Sequence, residues 1–298
     1  MTRSNIDSYM PRGGLAPRMV GSPALPLILV CGLAVPACVV APARADEGVA
    51  YRQIVEKHAP ALVTIKFLLR MESQYGKRET ESEITGLMIE PTGLVLCANS
   101  KLGAPRRFGS VTPTDIKILI GDDIEGIPAK VLARDTELDL AWVQAKEPPQ
   151  KPFAHVDIKK GAVPEIGDDL YALRRMAKFF DRAPVVSDGK MSGHTKKPRE
   201  LYVPSGVSVE AGQPIFTEDG TLIGIVVLQL PEDDEIEANP MAFMSMGRDI
   251  GGGLILPAAQ VLKATERAKL ATADEEEADA PASEPSDEDT EKSSDDGD

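Results

Sequence analysis

Short apolar runs separated by turn-forming residues follow one another through the middle of the chain. Most are too short for a buried helix and rich in valine, isoleucine and leucine, which favours β-strands. Tight-turn sequences such as EPTG (90–93) and TEDG (217–220) lie beside paired runs, as antiparallel hairpins require. The predicted strands are 61–69, 84–90, 93–99, 115–121, 127–135, 138–145, 169–175, 183–193, 200–205, 213–220, 221–230 and 251–264. Strands at this spacing, without helices between them, predict an all-β fold of antiparallel barrels.

Helical periodicity is present only at the two ends of this region. GVAYRQIVEKHAP (48–60) precedes the first strand, and PAAQVLKATERAKL (257–270) follows the last. In the second segment, Pro257 stands where proline can open a helix, and apolar residues recur three and four positions apart. The pattern therefore predicts a short helix at each end of the barrels.

The first forty-five residues have the order of an export signal. Three arginines precede an apolar run (24–40), and Ala43-Arg44-Ala45 then offers small residues for cleavage. We interpret residues 1–45 as a signal peptide, so the protein is expected to be exported, to a periplasm or the exterior. The alternatives are an uncleaved anchor or a lipid on Cys38, and only these two would bring the chain to a membrane.

Charge separates the rest of the chain into a domain and a tail. Residues 271–298 carry thirteen acidic residues and one lysine, and residues 1–45 carry four arginines and one aspartate. Of the net charge of −14, only about −5 is therefore left for a domain at 46–270. The tail has almost nothing to bury, so it is predicted to be disordered. The absence of a positive excess argues against nucleic acid as a partner.

Few residues in this chain could hold a metal or act as reactive thiols. Cys97 is the only cysteine after residue 45, so no internal disulfide is expected, and its apolar neighbours favour a buried packing role. His58, His155 and His194 are scattered, without the spacing of zinc ligands. His58 is expected at the surface of the first helix. We predict neither a metal nor another cofactor.

Five segments, in this order, resemble the trypsin-like protease domain of the HtrA (DegP-like) family. They are IVEKHAPALVTIKF (54–67), GLMIEPTGLVLCANSKL (86–102), AKVLARDTELDLAWVQA (129–145), VEAGQPIFTEDGTLIGIVV (209–227) and GLILPAAQVLKA (253–264). The resemblance implies two six-stranded antiparallel β-barrels with a peptide-binding cleft between them. The PDZ module that often follows in that family is not expected here, because only the acidic tail remains.

Two of the three catalytic positions implied by the resemblance carry the wrong residue. The aspartate is present as Asp139, but the histidine position falls on Ser100 and the serine position on Ala211. A serine nucleophile needs an imidazole to take its proton, and alanine has no atom with which to attack a carbonyl. Without an imidazole, the Asp139 carboxylate is expected to bond to Ser100, a backbone amide or water, because a buried unpaired charge is costly.

The oxyanion positions implied by the family are the amides of Val209 and Ala211. A β-branched residue at 209 replaces a glycine there, and Gln213 replaces a second glycine two residues after the serine position. The floor of the specificity pocket falls on Ser205. These changes fit a site that has lost its selection for catalysis.

The backbone edge that reads an extended peptide in the family falls on Val227, Leu228 and Gln229, and it does not depend on the missing groups. We therefore expect a catalytically inactive, exported trypsin-like homologue that binds peptide or protein, or that acts as a scaffold. One alternative is an active serine endopeptidase with a displaced site, using Ser205 or Ser208. The other is a structural domain whose groove is closed by the insert 230–253, with its methionines at 241, 244 and 246.

Overall fold

The computed structural model of the protein describes residues 43–73, 76–103, 111–229 and 253–278. Strands dominate these residues, and helices occur at their two ends. Helix α1 spans Ala43–His58, and helix α2 spans Ala258–Ala278. Nearly all of the predicted signal lies outside the described residues.

The first six strands close into a barrel. They are β1 (Leu62–Ser73), β2 (Gly76–Met88), β3 (Leu94–Ala98), β4 (Val111–Leu119), β5 (Ile127–Asp135) and β6 (Leu140–Ala145). Their order around the barrel is β1-β2-β3-β6-β5-β4, and every pair is antiparallel. Phe67 and Trp142 are among the largest side chains buried in the associated core.

The next six strands close into a second barrel of the same kind. They are β7 (Asp169–Arg175), β8 (Pro184–His194), β9 (Tyr202–Ser205), β10 (Pro214–Phe216), β11 (Leu222–Val227) and β12 (Leu254–Pro257). Their order is β10-β11-β12-β9-β8-β7. Every residue of β11 is buried, and helix α2 packs against this strand.

The prediction of an all-β fold with two six-stranded antiparallel barrels is confirmed. Each predicted strand overlaps an observed one, and the largest differences are at two strands. Strand β12 ends at Pro257 rather than at residue 264, because α2 begins at Ala258. Strand β2 begins at Gly76 rather than at residue 84. The added residues, GKRETESE, have no apolar alternation from which a strand could be predicted. They are extended because β1 pairs with them along their whole length.

Both helices pack their apolar residues against the barrels. In α1 these are Ala50 and Ile54, and in α2 they include Val261 and Ala264. Helix α2 runs to Ala278, eight residues into the segment expected to be disordered, because its alanine and glutamate residues are strong helix formers. Neither helix, in the part of the chain that the structure describes, has the length and apolar character needed to span a bilayer.

Candidate functional site

Asp139 lies at the start of β6, where the chain makes a tight turn. The Asp135 side chain caps this turn by accepting a hydrogen bond from Leu138 N at 2.9 Å. Asp139 itself has φ +54°, in the left-handed region that aspartate tolerates better than most residues. Its carbonyl oxygen accepts a bond from Asn99 N at 3.0 Å, which joins the turn to the end of β3. The turn therefore fixes the direction of the carboxyl group of a residue that is only 5% exposed.

The Asp139 carboxylate accepts three hydrogen bonds, from both barrels. Ser100 donates twice to it, from its backbone nitrogen at 2.6 Å and from Oγ at 3.0 Å. The backbone nitrogen of Leu228, just after β11, donates at 3.0 Å. The expectation that this carboxylate bonds to Ser100 or a backbone amide is confirmed, since it does both. The Ser100 hydroxyl thus donates to the carboxylate, and no imidazole of a described residue contacts this hydroxyl.

The loop that carries Ala211 is held against the end of β3. Gly212 has φ +87°, and its nitrogen donates to Val226 O at 2.7 Å. A Cβ at Gly212 would lie only 3.0 Å from Ala98 N, so the loop backbone and β3 are in close contact. Ala98 is two residues before Ser100, and the half-buried Ala211 therefore lies beside the Ser100 turn.

An ion pair joins the two barrels next to these residues. Lys101 Nζ lies 2.9 Å from a carboxylate oxygen of Glu210. The hydrogen bond from Lys101, and then its charge, lower the pKa of the Glu210 carboxyl below its ordinary value. The two residues directly follow Ser100 and precede Ala211, so this bond ties the histidine and serine positions of the predicted triad to one another.

Gln213 holds the conformation of the Ala211 loop through hydrogen bonds to Glu210. Its side chain is 3% exposed, and its Oε1 accepts a hydrogen bond from Glu210 N at 2.9 Å. Its own backbone nitrogen donates to Glu210 O at 3.1 Å. Val209, at the start of the loop, packs against the second-barrel core, and left-handed backbone occurs instead at Gly206 and Gly212. The Gln213 side chain, in a place where the family has glycine, thus fixes the loop through a hydrogen bond, and we call this contact the Gln213 brace.

The predicted oxyanion amides are present as backbone groups. Among the described residues, neither Val209 N nor Ala211 N donates a hydrogen bond. These two amides could bind a carbonyl or carboxylate oxygen, although the side chain at 211 is a methyl group that cannot attack it.

The histidines occupy other parts of the fold. His58 is buried, contrary to the surface position expected for it, because the end of α1 packs on β10 and stacks the imidazole on Phe216 with ring centres 4.2 Å apart. Its Nε2 lies 2.8 Å from Gly220 O. His155 is exposed, with Nδ1 3.1 Å from Phe153 O. Among the described residues, no serine hydroxyl makes a hydrogen bond to an imidazole.

The remaining predicted site residues line the second barrel. Ser205 is exposed at the end of β9, where it pairs with Lys190 of β8. Val227 is buried and pairs with Leu254, whereas Leu228 is 42% exposed. Gln229 is half-buried and is the last residue described before the insert, so the predicted methionine lid lies outside the described residues.

Residues 84–225 match the sequence model of the trypsin-like peptidase domain. This range extends from β2 to β11 and contains Ser100, Asp139 and Ala211. The matched range and the two closed barrels agree with each other. The chain has a trypsin-like fold. No curated protein matches the sequence.

A surface pocket lies apart from the candidate site formed by Ser100, Asp139 and Ala211. That pocket, of about 500 Å³, lies between α1 and the β10–β11 turn and is lined by residues such as Val49 and Asp219. Ser100, Asp139 and Ala211 are not among its lining residues. Across the described ranges, no group of three histidine, cysteine or acidic side chains is placed to hold a metal ion.

Sequence reasoning missed the ion pair and the brace that fix the Ala211 loop. The signal for the ion pair was present, because Lys101 and Glu210 are opposite charges beside two positions already expected to meet. The bond from Leu228 N to Asp139 had no such signal, because any residue type can supply a backbone amide.

Proposed function

We propose that this protein is an exported, catalytically inactive homologue of HtrA-like serine proteases, and that its cleft binds an extended segment of another protein without cutting it. The observation that carries the proposal is the pairing of Ser100 with Asp139 beside a methyl group at 211. In a working site these three positions hold an imidazole, the carboxylate that orients it and a nucleophile.

The groups present cannot perform the acyl transfer of a serine protease. Ala211 supplies no nucleophile, and the Ser100 hydroxyl cannot act as a general base near neutral pH. Cys97 offers no substitute, because it is fully buried and burial raises the pKa of its thiol to about 12. A thiol with that pKa is almost entirely protonated at neutral pH and unreactive.

The cleft keeps backbone groups that a peptide can use. The amides of Val209 and Ala211 have no acceptor among the described residues. At the predicted peptide edge, no described residue donates to the carbonyl oxygen of Leu228, although its amide is committed to Asp139. Main-chain bonds of this kind give affinity for extended segments with little dependence on sequence.

A substitution that fills the cleft tests this binding. Full-length protein and an Ala211→Tyr variant would be exposed to a library of short peptides, and captured peptides counted by mass spectrometry. We expect the variant to lose capture, whereas Glu218→Tyr, at an exposed position on the β10–β11 turn, keeps it. Capture that is equal in all three proteins would refute binding at the cleft.

A scaffold with a closed groove is the second candidate function. It is favoured by the bond between Leu228 N and Asp139, which removes one donor from the edge that would read a peptide. No capture by any of the three proteins would support this function over peptide binding.

Export belongs to the same proposal and has a separate test. The basic residues, apolar run and Ala-Arg-Ala site of residues 1–45 support cleavage before Asp46. Amino-terminal sequencing of the protein recovered from the periplasm or medium should begin at or near Asp46. Recovery of the uncleaved chain in the membrane fraction would contradict cleavage.

A further inference from the structure

Strand β2 has a long edge that no described strand covers. It pairs with β1 along twelve consecutive residue pairs, from Leu62–Leu87 to Ser73–Gly76, without a register shift. On its other side it pairs with β3 only through Leu87 and Met88. The part of β2 before residue 87 is therefore an open edge among the described residues. Such an edge is a template for another strand.

The backbone direction along this edge follows from the β2–β3 hairpin. Ile89 N donates to Leu94 O across that hairpin at 2.9 Å. In an antiparallel ladder, the residues that bond to one neighbouring strand alternate with those that bond to the other. Odd-numbered residues of β2 thus point their N–H and C=O groups away from β1. For Glu79, Glu81 and Glu83, these groups have no hydrogen-bond partner among the described residues.

The same three residues place a row of carboxylates along the open edge. Each is held by a cation: Arg70 lies 2.7 Å from Glu79, Lys66 lies 2.8 Å from Glu81, and Arg182 lies 2.8 Å from Glu83. The side chains of Glu79 and Glu81 are about half exposed. The carboxylates are therefore positioned on one face of β2. Those of Glu79 and Glu81 remain reachable from the open side, whereas the Glu83 side chain is only 20% exposed and is held by Arg182.

This arrangement selects against a second copy of the same strand. If two copies of β2 paired in the antiparallel direction, the residues whose N–H and C=O groups point away from β1 would lie opposite the same kind of residue in the other copy. Glutamate would then lie opposite glutamate. Like charges directly opposite one another destabilise a strand pair, whereas opposite charges stabilise it. Strand β4 lies on the other side of β1 and is irregular, since its pairing with β1 contains a bulge and Asp115 has φ +48°. This irregularity protects β4 against pairing with a strand of another molecule.

We propose that the open edge of β2, at Glu79, Glu81 and Glu83, binds an extended segment of another protein that carries lysine or arginine at every second residue. The segment adds as a strand beside β2, and its basic side chains lie opposite the exposed carboxylates of Glu79 and Glu81. This surface is separate from the cleft that contains Ala211, so either function can exist without the other.

The test uses a short synthetic peptide of alternating threonine and lysine, with an alternating threonine–glutamine peptide as its control. Amide hydrogen exchange of the full-length protein is followed at physiological salt. We expect the lysine peptide, and not the control, to slow exchange at Glu79, Glu81 and Glu83. Protection elsewhere only, whether at the acidic tail or the cleft, would overturn the proposal, and so would equal protection by both peptides.

Two variants distinguish the contribution of side-chain charge to peptide binding from that of backbone hydrogen bonds. Glu81→Gln should weaken binding about two- to fivefold through the loss of one cross-strand pair, whereas Glu218→Gln, an exposed glutamate on the second barrel, should leave it unchanged. Glu81→Pro removes an amide that points away from β1, so the hairpin is kept and binding should be lost. Equal binding by wild type and Glu81→Gln would refute the charge selection. Protection of the edge by self-association of the free protein would identify a second copy as the occupant and refute the proposal.

Discussion

Replacing Asp139 tests how strongly one carboxylate holds the two barrels together at the cleft. Asp139 is 5% exposed, and its carboxylate accepts bonds from Ser100 N, Ser100 Oγ and Leu228 N. The bonds to Asp139 are only partly buried, so each lost bond is set at about 1 kcal/mol, the lower end of the cost of an unsatisfied donor. Asp139→Ala removes three such bonds, two of them from backbone donors. Alanine at φ +54° adds about 1 kcal/mol. We therefore expect Asp139→Ala to lower the free energy of unfolding by about 4 kcal/mol.

Two further variants divide this effect into its parts. Asp139→Asn keeps one oxygen acceptor and the tolerance for left-handed backbone, so a loss of about 2 kcal/mol is expected. Ser100→Ala removes only the hydroxyl bond, for a loss of about 1 kcal/mol. Urea unfolding can be followed by the fluorescence of Trp142, which is the single tryptophan of the chain and is buried. If Asp139→Ala were no more destabilising than Ser100→Ala, the reasoning about the backbone donors would be refuted.

Three other predictions concern buried polar groups. Burial lowers the pKa of His58 in the folded protein. As the pH falls below about 6.5, the ordinary pKa of histidine, the unfolded chain binds the proton more readily than the folded protein, so the free energy of unfolding decreases. The decline in urea midpoint between neutral and mildly acidic pH should therefore be smaller in His58→Phe than in wild type, and parallel declines would contradict this. Trp142 Nε1 donates to Thr265 Oγ1 at 3.0 Å; Thr265→Val should cost about 1–2 kcal/mol and Thr265→Ser much less, and equal losses would argue against the hydrogen bond. Cys97, whose pKa is raised to about 12 by burial, should resist iodoacetamide in the folded protein and react in urea, as peptide mapping can show; labelling of the folded protein would contradict its burial.

The strands could be predicted from sequence wherever burial imposes a pattern. Strands β3, β6 and β11 are almost completely buried, and their continuous apolar runs mark them clearly. The outer part of β2 could not be found in this way, because its glutamates are held by cations from β1 and from the second barrel. Such partners are distant in sequence, so they produce no alternation of apolar and polar residues along β2 itself.

The same distinction between local patterns and distant contacts applies to the candidate site. The positions of Ser100, Asp139 and Ala211 follow from motifs, and the bond between the first two followed from the cost of leaving a carboxylate unpaired. The burial of His58 was missed because it depends on the contact between α1 and Phe216, which no local pattern announces. The brace formed by Gln213 was missed for a similar reason, since a glutamine in a loop is ordinarily exposed.

Covalent labelling tests the central claim of inactivity most directly. A fluorophosphonate reacts only with a serine that a neighbouring base has activated. Full-length protein incubated with such a probe, beside active trypsin as a control, should keep its unmodified intact mass while trypsin is labelled. An adduct that maps to a serine of this chain, such as Ser205 or Ser208, would show a working nucleophile and contradict the account.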